Sequence, residues 1–212
     1  MNCRSSSIRF LLLSLFSLIC GSAPAARRAA GGLGQALLPR GAAAWLGVGA
    51  AARTRLGALV AVDGAGTVPW GEVVRYSGAR DGPPEHPNTR TPEDLIAQRV
   101  SAWLRRSPLV VLDLPASFAT GRVAGLLAAL GRDPERDVLC VSPYPPPGPA
   151  GAWDRLPPIL GIGPDFHPGL LTSATTQTSG LVANIDVAPT LLDLLGHPVP
   201  ATMQGRSLLQ GR

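Results

Sequence analysis

The apolar positions fall into blocks of helical and strand period, separated by Gly- and Pro-rich breaks. The clearest helix start is at Thr91: a capping hydroxyl, Pro92 in the first turn, then Glu93 and Asp94 where the N-terminal dipole favours acid. Leu95, Ile96, Val100, Trp103 and Leu104 then recur at helical spacing. SPLVVLDLP (107–115) is a continuous apolar run, the pattern of a strand covered on both faces. Residues 121–131 read as an apolar helix and DVLCVS (137–142) as another buried strand. Strand, helix, strand at this spacing is a βαβ unit, which makes the fold class α/β, with a mostly parallel sheet flanked by helices.

Upstream, GGLGQALLPRG (31–41) predicts a short helix and AAAWLGVGA a buried strand. GALVAVDGAGTVPWGEV predicts a strand, a turn at Asp63 and Gly64, and a returning strand, and residues 77–92 form a loop by composition. Downstream, the prolines of 143–158 rule out helix or central strand. ILGIGPDF (159–166) predicts a short strand ending in a turn, and 181–185 a last strand. Asp186 is expected to cap a helix that has Pro189 in its first turn and ends at Gly196. No internal repeat is evident.

Arg4 and Arg9 precede an 11-residue apolar run, Phe10–Cys20, and the small residues 21–26 follow it. This is the layout of a secretory signal peptide, too short to span a bilayer, with cleavage expected after Ala25 or Ala26. The expected organisation is therefore a signal at 1–26 and one α/β domain at 27–212, exported to the periplasm, the medium or the membrane surface. Cleavage removes Cys3 and Cys20 and leaves Cys140 alone, so the domain has no intramolecular disulfide and depends on its core.

With 45% hydrophobic and 16% charged residues, 212 residues are enough for a packed core. The net charge is +5 and every basic residue is Arg, but the arginines are scattered from Arg4 to Arg212. They form no basic recognition helix, and at 5% the aromatic residues build no stacking platform, which argues against nucleic acid as a partner.

Three blocks, ILGIGPDF (159–166), GLVANIDVAPTLLDLLG (180–196) and PATMQGRSLL (200–209), resemble in order the C-terminal part of the alkaline phosphatase superfamily, which includes phosphodiesterases, sulfatases and cofactor-independent phosphoglycerate mutases. Residues 31–142 are similar to the middle of large bacterial membrane proteins carrying such a domain. The resemblance implies an α/β fold and, in active members, Asp and His ligands holding metal around a Ser, Thr or modified Cys nucleophile. It also implies an N-terminal strand ending in a metal-binding Asp, with the nucleophile after it. Where the family has an Asp and His pair after the strand that DVLCVS resembles, this chain has Ser142, Pro143 and Tyr144.

No catalytic, cofactor-binding or metal-binding residue is therefore assigned, and no cofactor is expected. The leading expectation is a degenerate, non-catalytic domain that binds or assembles with an envelope or membrane protein. A second reading is a hydrolase of phosphate or sulfate esters using Zn or Mn on an unusual ligand set, for example Asp63, Asp113 and His167, with Thr89 or Thr91 as nucleophile. A third is an inactive fragment whose N-terminal strand and nucleophile segment are missing. Against the second reading, Asp63 before Gly64 is a turn dipeptide, and Asp113 suits a strand-end cap. Asp165 lies in a Gly and Pro turn, Asp186 at a helix start, and His86, His167 and His197 in loops without ligand spacing. Ser142 with His167 lacks the orienting group and oxyanion site of a hydrolase.

Overall fold

The computed structural model describes residues 9–16, 32–38, 41–49, 57–74, 91–115, 118, 120–142 and 156–209, with backbone alone for 9–16 and Thr120. The strands are β1 (Arg9–Phe16), β2 (Ala44–Val48), β3 (Trp70–Val74), β4 (Leu109–Pro115), β5 (Arg136–Val141) and β6 (Ile159–Ile162). The helices are α1 (Gly32–Leu37), α2 (Ala58–Ala61), α3 (Pro92–Leu104), α4 (Thr120–Leu130) and α5 (Val187–Leu194). The strands form a single six-stranded sheet in the order β3-β2-β4-β1-β5-β6. All neighbours are parallel except β5 and β6, which are antiparallel. The chain is thus α/β, with a mostly parallel sheet between helices, as its pattern predicts.

Side chains of β4 alternate between two cores, as strand geometry requires. Val110, Leu112 and Leu114 join Leu46, Val138, Ile96, Val100 and Leu104 of α3, and Leu126 and Leu130 of α4. Leu109 and Val111 face the other way, with Leu139, Leu33 and Leu37 of α1 and Leu191, Leu192 and Leu194 of α5. A strand buried on both faces has to be apolar throughout, which is why LVVLDLP reads as a continuous run. Its one carboxylate, Asp113, falls on the α1 and α5 side by parity with Leu109 and Val111.

The start of α3 forms as its sequence predicts. Thr91 Oγ1 accepts from Asp94 N–H at 3.1 Å, and its hydroxyl donates to the Asp94 carboxylate at 2.9 Å. Glu93 and Asp94 also reach α4 and the turn after it, through Arg122 at 3.4 Å and Arg132 at 3.0 Å. At the start of β5 the buried Arg136 donates to Leu130 O, Ser101 Oγ and Asp133 Oδ2, which pins the α4 to β5 turn against α3.

Three expectations change. Residues 58–61 are the short helix α2; an apolar run this short, rich in Ala and Leu, has no period that separates strand from helix. β3 consequently returns parallel to β2 by a crossover and makes no hairpin with the preceding run. Residues 181–183 are irregular and 184–186 form one 3-10 turn; the Leu181 carbonyl is taken by the Thr176 hydroxyl at 2.6 Å, away from any ladder.

The apolar run that is read as an export signal also has a place in the fold. Its residues 9–16 lie as β1 inside the sheet, between β4 and β5. The same run suits both roles, because it is too short for a bilayer and long enough for a strand covered on both faces. Residues 17–31, including the expected cleavage sites, lie outside the described residues, as do 1–8, 75–90 and 143–155 with His86, Thr89 and Tyr144.

Truncations should rank by burial. Leu112→Ala is expected to lower unfolding free energy by about 3 kcal/mol, and Thr91→Ala by about 1 kcal/mol. Urea unfolding followed by circular dichroism checks both, as shifted midpoints at constant slope.

Candidate functional site

Parallel α/β sheets place ligands beyond the C-terminal ends of their strands. Asp113 sits at that edge, opposite Ser14 of β1 and Gly47 of β2 in register. It is 5% exposed, and its Oδ2 accepts the backbone N–H of Gly57 at 3.2 Å. That bond fixes the entry to α2 beside β4, a partner 56 residues upstream and not the turn that follows β4. Ser142 follows β5 at the same edge and is half-buried.

The other candidates are elsewhere. β6 runs antiparallel, with Ile162 opposite Val138, so Gly163 to His167 emerge at the N-terminal edge. Asp165 N–H donates to the buried Asp137 at 3.1 Å, near the start of β5. From that level to Val141, the register partner of Ser14 and so the level of Asp113, is on the order of 10 Å along the strands at ~3.3 Å per residue. Asp63 lies in the turn leading into β3, also towards the N-terminal edge. Its Oδ1 accepts from Ala65 and Thr67 N–H, each at 2.9 Å, and its Oδ2 from the Thr67 hydroxyl at 2.8 Å. Those bonds, Thr67 N–H first, hold its carboxyl below the usual value.

Asp63, Asp113 and His167 are therefore not brought together. Metal donors must converge within about 2.0–2.2 Å of one ion, and among the described residues no group of three or more His, Cys, Asp or Glu side chains is placed to do so. Thr91 is occupied as a helix cap. Burial pushes the Cys140 thiol up to about 12, so it is a core residue and not a thiolate nucleophile.

Asp186 has the densest polar surroundings, and its role differs from the expected cap. It stands at the N-cap of α5 but makes no side-chain bond to the helix. Its carboxylate points instead at two loops and is 0% exposed. Ser173 Oγ donates to Oδ2, while Oδ1 accepts from Thr175 Oγ1 at 2.6 Å and Arg206 N–H at 2.9 Å. Ser173 Oγ in turn accepts the N–H groups of Thr175 and Thr176.

One turn further along, Thr190 Oγ1 donates to Asp186 O at 2.6 Å and accepts Leu208 N–H at 3.0 Å. Ser207 Oγ donates to Asp193 Oδ2 at 2.6 Å. Gly205 is required where the loop crosses: its φ is +92°, and a Cβ would collide with the Ile185 carbonyl. The helix stops where expected. Gly196 has φ +66°, and His197 N–H returns to Leu192 O at 2.8 Å, closing a Schellman turn.

The sequence reading missed Ser173, Thr175 and Thr190. Their signal was a Ser/Thr-rich run, 173–179, ahead of Asp186 in a largely apolar block, since short hydroxyl side chains favour local bonds of this kind. The bonds join the Ser173 loop and the 205–208 loop to the start of α5, and the arrangement is a clasp. Comparison with family models and with curated proteins finds no match to this chain.

Burial raises the Asp186 pKa, but the bonds from Ser173, Thr175 and Arg206 outweigh it and hold the carboxyl below 3.8. With the folded value depressed, this stabilisation is complete above the unfolded value and disappears as pH falls through the folded one. Asp186→Ala is expected to lower stability by about 2–3 kcal/mol at neutral pH, because it leaves the buried Ser173 hydroxyl and the part-buried Thr175 hydroxyl and Arg206 N–H without their common acceptor. Acid titration of the melting temperature should show the wild type converging on Asp186→Asn below about pH 4. Asp63 and Asp94 are lowered in both proteins, so the difference between the curves isolates Asp186.

Proposed function

We propose that this chain is a degenerate alkaline-phosphatase-like domain that works by binding a protein partner of the cell envelope or membrane, and not by metal-dependent ester hydrolysis. The observation that carries this reading is the first strand. In the superfamily the chain resembles, the N-terminal strand ends in a metal-binding Asp. Here β1 is RFLLLSLF, and neither it nor 17–26 contains Asp, Glu or His. Taken as the counterpart of that strand, β1 offers no charged ligand that would help ionise a nucleophile or neutralise a transferring group.

The split between the two sheet edges supports the same reading. Asp113 is at one edge, held by Gly57; Asp165 and His167 are at the other. The three blocks that carry the resemblance supply β6, α5 and the clasp around Asp186, all of which hold the fold.

Purified protein incubated with p-nitrophenyl phosphate and p-nitrophenyl sulfate, with Zn²⁺, Mn²⁺ or Mg²⁺, is expected to show no metal-dependent release of p-nitrophenol. Its melting temperature should not rise at stoichiometric metal. Metal-dependent turnover that is lost in Asp113→Asn would overturn the proposal and restore the hydrolase reading.

A further inference from the structure

The apolar segment near the N-terminus carries two incompatible instructions. Its sequence, Arg4 and Arg9 followed by Phe10–Cys20 and small residues, is that of a segment removed on export. Its place in the fold is the interior of the sheet. Phe10–Phe16 lie opposite Leu109–Pro115 of β4, and Arg9–Ser14 opposite Arg136–Val141 of β5. We infer that residues 9–16 are retained as a structural strand, so that folding withdraws this segment from targeting and processing.

Backbone bonding carries the inference. β1 has a neighbour on each side, and both neighbours are buried: Leu109, Val110, Val111 and Leu112 of β4 and Asp137 and Leu139 of β5 are 0% exposed. Cleavage after Ala25 or Ala26 would take β1 away and leave the facing N–H and C=O groups of β4 and β5 without their ladder partners. The two strands could not simply rejoin. Two strand spacings separate them, about 9–10 Å, and α3 and α4, already bound to each other through Glu93 and Arg122, pack across the same face. α3 also lies over β1 itself.

A segment that has to be free for a membrane-bound machine and buried for a stable sheet serves whichever process reaches it first. β4 and β5 lie about a hundred residues downstream of β1, so the strand is exposed during synthesis and covered only once the βαβ unit has been made. Retention therefore requires that the sheet close before any peptidase acts, and once closed the sheet offers that peptidase no extended apolar segment.

The test uses the full chain. Soluble protein is isolated with a C-terminal tag, its intact mass is measured, and its backbone amides are followed by hydrogen exchange with mass spectrometry. The expected mass includes residues 9–16. Peptides covering them should exchange at least about a thousandfold more slowly than in the denatured chain, in step with peptides from 109–115 and 136–141. Leu12→Pro, which removes one ladder donor, should lower the melting temperature by about 10 °C or abolish the transition. A cooperatively melting protein that begins after Ala25 or Ala26 overturns the inference. So does exchange of 9–16 at the denatured rate, or a Leu12→Pro protein with an unchanged melt.

Discussion

The parallel ladder on either side of β1 is the constraint on which the rest of the molecule depends. β4 and β5 do not pair with each other, and the βαβ unit that joins them through α4 leaves a one-strand gap that β1 fills. Everything described at the C-terminal edge follows from that insertion. The register of β1 against both neighbours sets Asp113 level with Ser14 and Val141, and β2 then adds on the far side of β4 with Gly47 at the same level. A slip of one residue would turn β4's neighbours to the wrong face, because side chains alternate with period two. Two cores of opposite parity, one under α3 and α4 and the other under α1 and α5, hold that register.

Asp186 does for the last third of the chain what β1 does for the sheet. An ionised carboxylate at 0% exposure costs several kcal/mol to bury unless donors surround it. Here two hydroxyls and a backbone N–H from two separate loops meet that need. The compensation works in both directions. Without the carboxylate, the loop containing Ser173 and the loop containing Arg206 have no common acceptor, and α5 holds the second loop only through Thr190 with Leu208 and Asp193 with Ser207. The bonds hold three stretches together that would otherwise be surface loops, which accounts for how little regular secondary structure 163–183 and 196–209 need.

Much of the fold was legible in the sequence because each strong local signal matched its tertiary setting. Thr91, Pro92, Glu93 and Asp94 specify a helix start from within four residues, and LVVLDLP is apolar on both faces because both faces are covered. The errors fall where a local pattern serves two structures equally well. Ala58–Ala61 is short enough to be helix or strand. For Asp186 the residue type and position were right for a cap, but the choice between capping its own helix and receiving Ser173 and Arg206 is made by residues 13 and 20 positions away. No window centred on the helix contains that information.

The separations between the candidate site residues were not legible in the sequence. Antiparallel β6 is enough to send Asp165 and His167 to the edge opposite Asp113, and this depends on one strand direction, which the apolar run ILGI does not encode. The resemblance that is strongest along the chain, in 159–166, 180–196 and 200–209, falls on the parts that bond to one another or finish the sheet. Residues bound in such a network are constrained by folding whatever happens at the other edge, since altering one leaves a buried partner unsatisfied. A ligand residue at a strand end carries no comparable penalty when it is replaced, because its partner is a metal ion and not a buried group of the protein. Likeness in such a network is evidence of scaffold alone and says nothing of the chemistry at the other edge.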